Sequence, residues 1–169
     1  MSEEVAITSL KQIVDIEADT LLSQVLVDLV NQFPSPMTVT FNNLNDREGI
    51  AIFPQGSTFL LNEVVSITDY VRQECFYSFN IIYRISPRKD GQKMRVKEYL
   101  DMLGSYLEKQ AVTIDDTVYK IDEYPELSAG KKILSITRSS QAYLASQYED
   151  GVEDWLVGFN LVYRNEFQR

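Results

Sequence analysis

Leu21, Leu22, Val25, Leu26, Leu29, Val30 and Phe33 form adjacent apolar pairs that repeat at helical spacing, which predicts an amphipathic helix over residues 18–33. Asp19 or Asp15 is its expected cap, and Pro34 with Pro36 ends it. A shorter helix over residues 5–16 is expected before it, with Leu10, Ile13 and Val14 on the buried side. Beyond the prolines the apolar period falls to two. Residues 37–41 alternate in β-favouring types, a short strand at 50–53 precedes the breaker Pro54-Gln55-Gly56, and further strands are expected at 58–68 and 71–85. In the last of these Cys75, Tyr77, Phe79, Ile81, Tyr83 and Ile85 share one face. Helical spacing returns over 91–109 through Val96, Tyr99, Leu100, Leu103 and Leu107, with Asp90 as the cap. Short strands follow at 111–114, 117–121 and 131–138. A long one at 152–165 then alternates Trp155, Val157, Phe159, Leu161 and Tyr163. Segments 42–57, 122–130 and 139–151 read as loops, the parts of a fold that commonly carry binding.

The two long strands resemble each other without a gap. Phe79 matches Phe159, Asn80 matches Asn160, Tyr83 matches Tyr163 and Arg84 matches Arg164, and an acid, Glu74 or Asp154, precedes each segment. They read as equivalent, neighbouring, central strands. Each puts its aromatics on a helix-covered face and its Asn and Arg on the other, making Phe79, Tyr83, Trp155, Phe159 and Tyr163 the expected core. The flanks of the two segments do not match in sequence, so no second copy of a domain is expected. The order of elements predicts an α+β fold, a mixed or antiparallel sheet with amphipathic helices packed on one face.

Composition narrows the chemistry. At 169 residues, 44% apolar and 24% charged, the chain has the length and balance of a single globular domain. No apolar run reaches the roughly 20 residues that span a bilayer, and the acidic start lacks the features of a signal peptide, so synthesis and retention in a cytoplasm are expected. The chain has no histidine, so the commonest general base is missing, along with most zinc ligand sets. Cys75 is the single cysteine and lies in an apolar run, where a core role is expected. None of the seven glycines falls in a phosphate-loop spacing. The acidic pairs Asp115-Asp116, Asp122-Glu123 and Glu149-Asp150 sit in predicted turns and lack calcium-loop spacing. Catalytic, cofactor and metal residues are therefore not expected. A net charge of -9 disfavours binding to a phosphate backbone and keeps a free subunit soluble.

The run from Asp154 to Arg164, Asp-Trp-Leu-Val-Gly-Phe-Asn-Leu-Val-Tyr-Arg, resembles the closing strand of small minor capsid or tail-terminator proteins of long-tailed phages and prophages of Gram-positive bacteria. The amphipathic helix before Pro34-Ser35-Pro36 fits the same layout, as does the long aromatic strand leading into the helix at 92–110. This resemblance implies a compact subunit of a homo-oligomeric ring, a hexamer, that caps the last ring of the major tail-tube protein and docks onto a head-completion or connector protein. It implies a virion location in the tail or neck, with DNA passing through the lumen without specific binding and no membrane partner. The acidic loop residues Asp115, Asp116, Glu149 and Asp150 are then candidates for the lumen or the interfaces. Two other readings remain: another neck or tail-tube component, and a small-ligand binding protein or enzyme of a different class.

Overall fold

The computed structural model describes residues 3–5, 11–12, 16–56, 58–87, 90–128 and 130–169. Strands β1 (Glu3–Val5) and β2 (Lys11–Gln12) precede helix α1 (Ile16–Asn31). Strands β3 (Val39–Phe41), β4 (Gly49–Pro54), β5 (Phe59–Val65) and β6 (Tyr70–Ile85) lead to helix α2 (Asp90–Leu107). Then come β7 (Val112–Ile114), β8 (Thr117–Tyr119), β9 (Lys131–Arg138), β10 (Tyr143–Gln147) and β11 (Glu153–Gln168). Strands β7 and β8 form a two-stranded sheet, and the others build a nine-stranded one. All pairings in the large sheet are antiparallel except β3 with β4, so the fold is α+β with a mixed sheet, as expected.

The centre of the sheet is the pair β6–β11, bonded along its whole length from Tyr70 opposite Gln168 to Ile85 opposite Glu153. Period-2 alternation sorts their side chains. Cys75, Tyr77, Phe79, Ile81, Val157, Phe159, Leu161 and Tyr163 are all within 1% of complete burial. Both helices cover this face. Leu22, Leu26, Leu29, Val30 and Phe33 of α1 and its last turn, with Val96, Tyr99, Leu100, Leu103 and Leu107 of α2, join the strand residues in one cluster. Tyr83 meets Tyr99 edge-on with centroids 5.7 Å apart. Trp155 is partly buried against the same cluster.

Phe79 and Phe159 stand directly opposite each other, rings stacked with centroids 5.1 Å apart. Because the strands are antiparallel, the two matched segments run outward from this pair in opposite directions. The flanking strands repeat the relation. Strand β4 pairs with the second half of β6, and β9 with the second half of β11. Strand β5 pairs with the first half of β6, and β10 with the first half of β11. Phe59 and Leu60 face Phe76 and Cys75, and a bulge follows before Asn62; Tyr143 and Leu144 face Leu156 and Trp155, and the same bulge follows before Ser146. Even the crossover bonds correspond: the Gln55 N–H donates to the Ser78 carbonyl at 2.8 Å, and the Ser139 N–H to that of Gly158 at 2.9 Å. Residues 16–85 and 90–168 thus repeat one arrangement of flanking strands about Phe79–Phe159, while β3 pairs parallel with β4 in the first half and β7 and β8 form a separate hairpin in the second. The flanks differ in sequence because edge strands and helix exteriors constrain residue type weakly.

Three local expectations change. Within the expected helix 5–16, Val5, Lys11 and Gln12 are strand instead: Val5 pairs with Glu63, and Lys11 and Gln12 with Leu60 and Phe59. The open edge of β5 outweighs local helical spacing there, and Leu10, Ile13 and Val14 lie outside the described residues. Helix α1 begins at Ile16, so Asp19 is inside it and is not the cap; Asp15 lies outside the described residues. Segment 139–151, expected as a loop, contains β10. Its five residues are all exposed and so carry no alternation to read. Phe159→Ala removes half of the axial stack and is expected to cost about 4 kcal/mol, the range for a buried aromatic. Urea unfolding monitored by Trp155 fluorescence measures the loss.

Candidate assembly surfaces

Asp115 and Asp116 occupy the turn between Ile114 and Thr117, which are paired across β7–β8. Both have left-handed backbones, φ 48° and 64°, as a two-residue hairpin turn with right-handed strand twist requires, and Asp tolerates that region better than most residues. Glu149 and Asp150 form the turn between β10 and β11. There the Tyr148 N–H donates to the Val152 carbonyl at 2.9 Å, and Asp150 Oδ1 accepts from the Val152 N–H at 3.2 Å. All four acids are exposed, but they project from different sheets, so the structure does not gather them into one site. Asp122 and Glu123 are likewise exposed, in a segment that reaches back to β9 through a bridge from Glu126 to Lys132. Among the described residues no group of three or more His, Cys, Asp or Glu side chains could hold a metal ion. No helix among them is long and apolar enough to cross a membrane.

A polar cluster centred on Arg84 and Asp154 lies at the sheet end where β6 finishes and β11 begins. Arg84 Nε donates to Asp154 Oδ1 at 2.7 Å and its Nη2 to Oδ2 at 3.0 Å, the two-pronged geometry that gives Arg–carboxylate pairs their strength. The Tyr148 hydroxyl donates to Asp154 Oδ2 at 2.9 Å, and the guanidinium lies 5.6 Å from the Tyr148 ring centre. Arg84 Nη1 donates to the Asn45 carbonyl at 3.0 Å, fastening the 42–48 segment to this end. Burial alone would raise the carboxyl pKa of Asp154, but the bonds from Arg84 and Tyr148 outweigh it and hold the value below the ordinary one. The same pair raises the Arg84 pKa, although burial opposes the rise. Next to it the carboxylate of Glu153, 1% exposed, takes an ion pair from Lys93 of α2 at 3.2 Å. The signal in the sequence was the acid ahead of each aromatic segment. Antiparallel pairing brings each such acid opposite the other segment's arginine, Asp154 to Arg84 and Glu74 to Arg164. Only the first pair has closed; Arg164 Nε is buried without a hydrogen-bond partner and lies 3.9 Å from Glu166.

The halves also differ beside their helices. Pro54 and Arg138 hold equivalent places, opposite Phe79 and Phe159. Arg138 reaches along α2, donating to Glu108 at 2.6 Å and lying so close to Gly104 that any side chain there would strike it. Pro54 makes no such reach. A mainly apolar cavity of about 550 Å³ beside α1 is lined by Val27, Phe41, Pro54 and Tyr77, and one of about 530 Å³ beside α2 is lined by Met94, Lys97, Met102 and Arg138. A third of about 440 Å³ opens by Tyr83, Tyr99, Arg95 and Glu48. Burial pushes the Tyr99 phenol up to about 12 despite its 2.6 Å bond with Ser35.

Compared with models of protein families the chain matches none, and no curated protein matches it.

Asp154→Ala strands the Arg84 guanidinium and is expected to cost about 3 kcal/mol at neutral pH, as removal of one partner from a buried pair does. The native carboxyl pKa lies below the unfolded one, so the contribution of the pair is complete above the ordinary carboxyl range and disappears as pH falls through the native value. Thermal melts of wild type and Asp154→Asn from neutrality into acid should accordingly converge.

Proposed function

We propose that this chain is a non-enzymatic structural subunit of a phage virion, a tail terminator whose ring caps the tail tube and joins it to the head. The observation that carries the reading is the sheet face opposite the helices. Phe53, Phe59, Phe76, Ile82, Leu156 and Val162 lie on it, each half-buried, around the central Ser78, Asn80 and Asn160. Both described helices pack on the other side, so this face has no layer of its own among the described residues, and an apolar sheet face left open is characteristic of a protein that is completed by assembly. The likeness of the closing strand to terminator proteins supports the same reading, because that strand is one of the central pair from which the sheet is built.

In this reading the partners are further copies of the chain in a ring, hexameric in the family it resembles, the major tail-tube protein on one side and a head-completion or connector protein on the other. DNA crosses the lumen without specific binding. The acidic turns at Asp115-Asp116 and Glu149-Asp150 supply like charge toward DNA wherever they border the lumen. Subunits are made in the host cytoplasm and end in the neck of the virion. Another neck component or a tube protein would share the fold plan, but a tube protein extends into long tubes where a terminator stops at one ring. The cavity beside α1 favours a second reading, binding of a small apolar ligand, which thermal stabilisation across a panel of metabolites would support.

Native mass spectrometry and negative-stain imaging, with and without tail tubes, should show closed rings and caps at one tube end. A protein that stays monomeric and never caps tubes contradicts the proposal. Lysine substitution of Asp115, Asp116, Glu149 and Asp150 together is expected to leave the fold intact and slow DNA ejection from assembled particles; an unchanged ejection rate removes the lumen role.

A further inference from the structure

The sheet has flanking strands at equivalent positions, and their outer edges are not treated alike. The outer edge of β4 is covered by β3, whose own outer side is closed by the Asn31 carboxamide, bonded to both the N–H and the carbonyl of Val39 at 2.9 and 3.0 Å. On β9 the outward groups are met by the bridge from Glu126, by the Tyr124 hydroxyl at the Ile136 N–H and by Glu108 at the Arg138 N–H. The edge of β5 is covered by β1 and β2. Strand β10 pairs with β11 alone among the described residues.

Strand β10 is short and bulged before Ser146, but β5 carries the same bulge and is paired along its outer edge all the same. The sequence of β10, Tyr-Leu-Ala-Ser-Gln, has no charge and no proline, two further devices by which proteins blunt an edge, and Tyr143 and Leu144 are 48% and 40% exposed. The equivalent edge within the same molecule shows what kind of segment such an edge takes. Phe59 and Leu60, the counterparts of Tyr143 and Leu144, receive Gln12 and Lys11 antiparallel, and β1 continues the cover farther along β5. The path through the sheet runs β1-β5-β6-β11-β10, so β1 is its other end and also has one side unpaired among the described residues. Two β1 strands side by side would bring Glu3 and Glu4 against their own copies, which like charge opposes; an uncharged β10 meets them without that penalty.

We infer that β10 of one copy pairs with β1 of a second copy, so that the main sheet continues from subunit to subunit. The contact is head-to-tail, the type that closes into a ring when its rotation permits and otherwise grows into a filament. The inference deepens the ring reading and rests on it for closure, while the strand pairing is tested by itself.

Ser146→Lys places a charge on the edge and Ala145→Pro removes an N–H from it; near-UV circular dichroism checks that each variant keeps the native fold. Loss of rings in native mass spectrometry by folded variants is the expected result. Rings that persist in both overturn the β10 contact and leave the ring reading standing. A short bismaleimide cross-linker distinguishes the occupant, since native Cys75 is buried. Subunit-to-subunit links are expected in Val5→Cys/Ala145→Cys and not in Ala145→Cys alone. Dimeric links in Ala145→Cys alone would mean that β10 pairs with itself, and overturn the choice of β1. Absence of any assembly by the wild type, even with tail tubes, overturns both readings.

Discussion

Every other element takes its place from the ladder between β6 and β11. Sixteen residues of each strand are paired in one register, and a slip by one residue would turn either Tyr77 and Phe79 or Phe159 and Tyr163 away from the helices. The stack of Phe79 on Phe159 marks that register at its midpoint. From it follow the opposition of Arg84 and Asp154 at one end and the positions at which β4, β5, β9 and β10 can dock.

This organisation was legible where burial imposes a pattern. The long strands alternate because one face is dry, and α1 and α2 repeat at helical spacing because one stripe of each is dry, so their bounds and the pairing of the two strands could be read from residue type. Strand β10 could not be read, because it is exposed throughout and its backbone bonds to β11 rather than its side chains hold it. Strand β2 was misread as helix for a related reason: Lys11 and Gln12 are recruited by an edge far away in sequence. Of the candidate site residues, the five aromatics lie in or against the core as expected. The acids Asp115, Asp116, Glu149 and Asp150 are at hairpin turns, but their distribution over two sheets depends on tertiary structure that no local pattern encodes.

The two halves show what can change while a plan is kept. Positions on the dry face stay large and apolar, as in Ile52 and Ile136 or Tyr83 and Tyr163. Positions at the periphery differ: Pro54 stands where Arg138 reaches out to Glu108, and Arg84 holds its acid where Arg164 does not. The differences lie at edges, turns and the flank of a helix, which are the parts through which a subunit meets anything else.

The bond pattern at the centre also sets an order of events in time. Strand β11 is the last of the sheet to leave the ribosome, and most of its contacts are with residues remote in sequence, which makes folding slow to nucleate. Until it arrives, the aromatic face of β6 lacks its neighbour and β10 has no strand to lie against. A chain that stops short of β11 therefore lacks both the partner of β6 and the strand on which β10 is laid, and the two halves of the sheet have no seam to meet along.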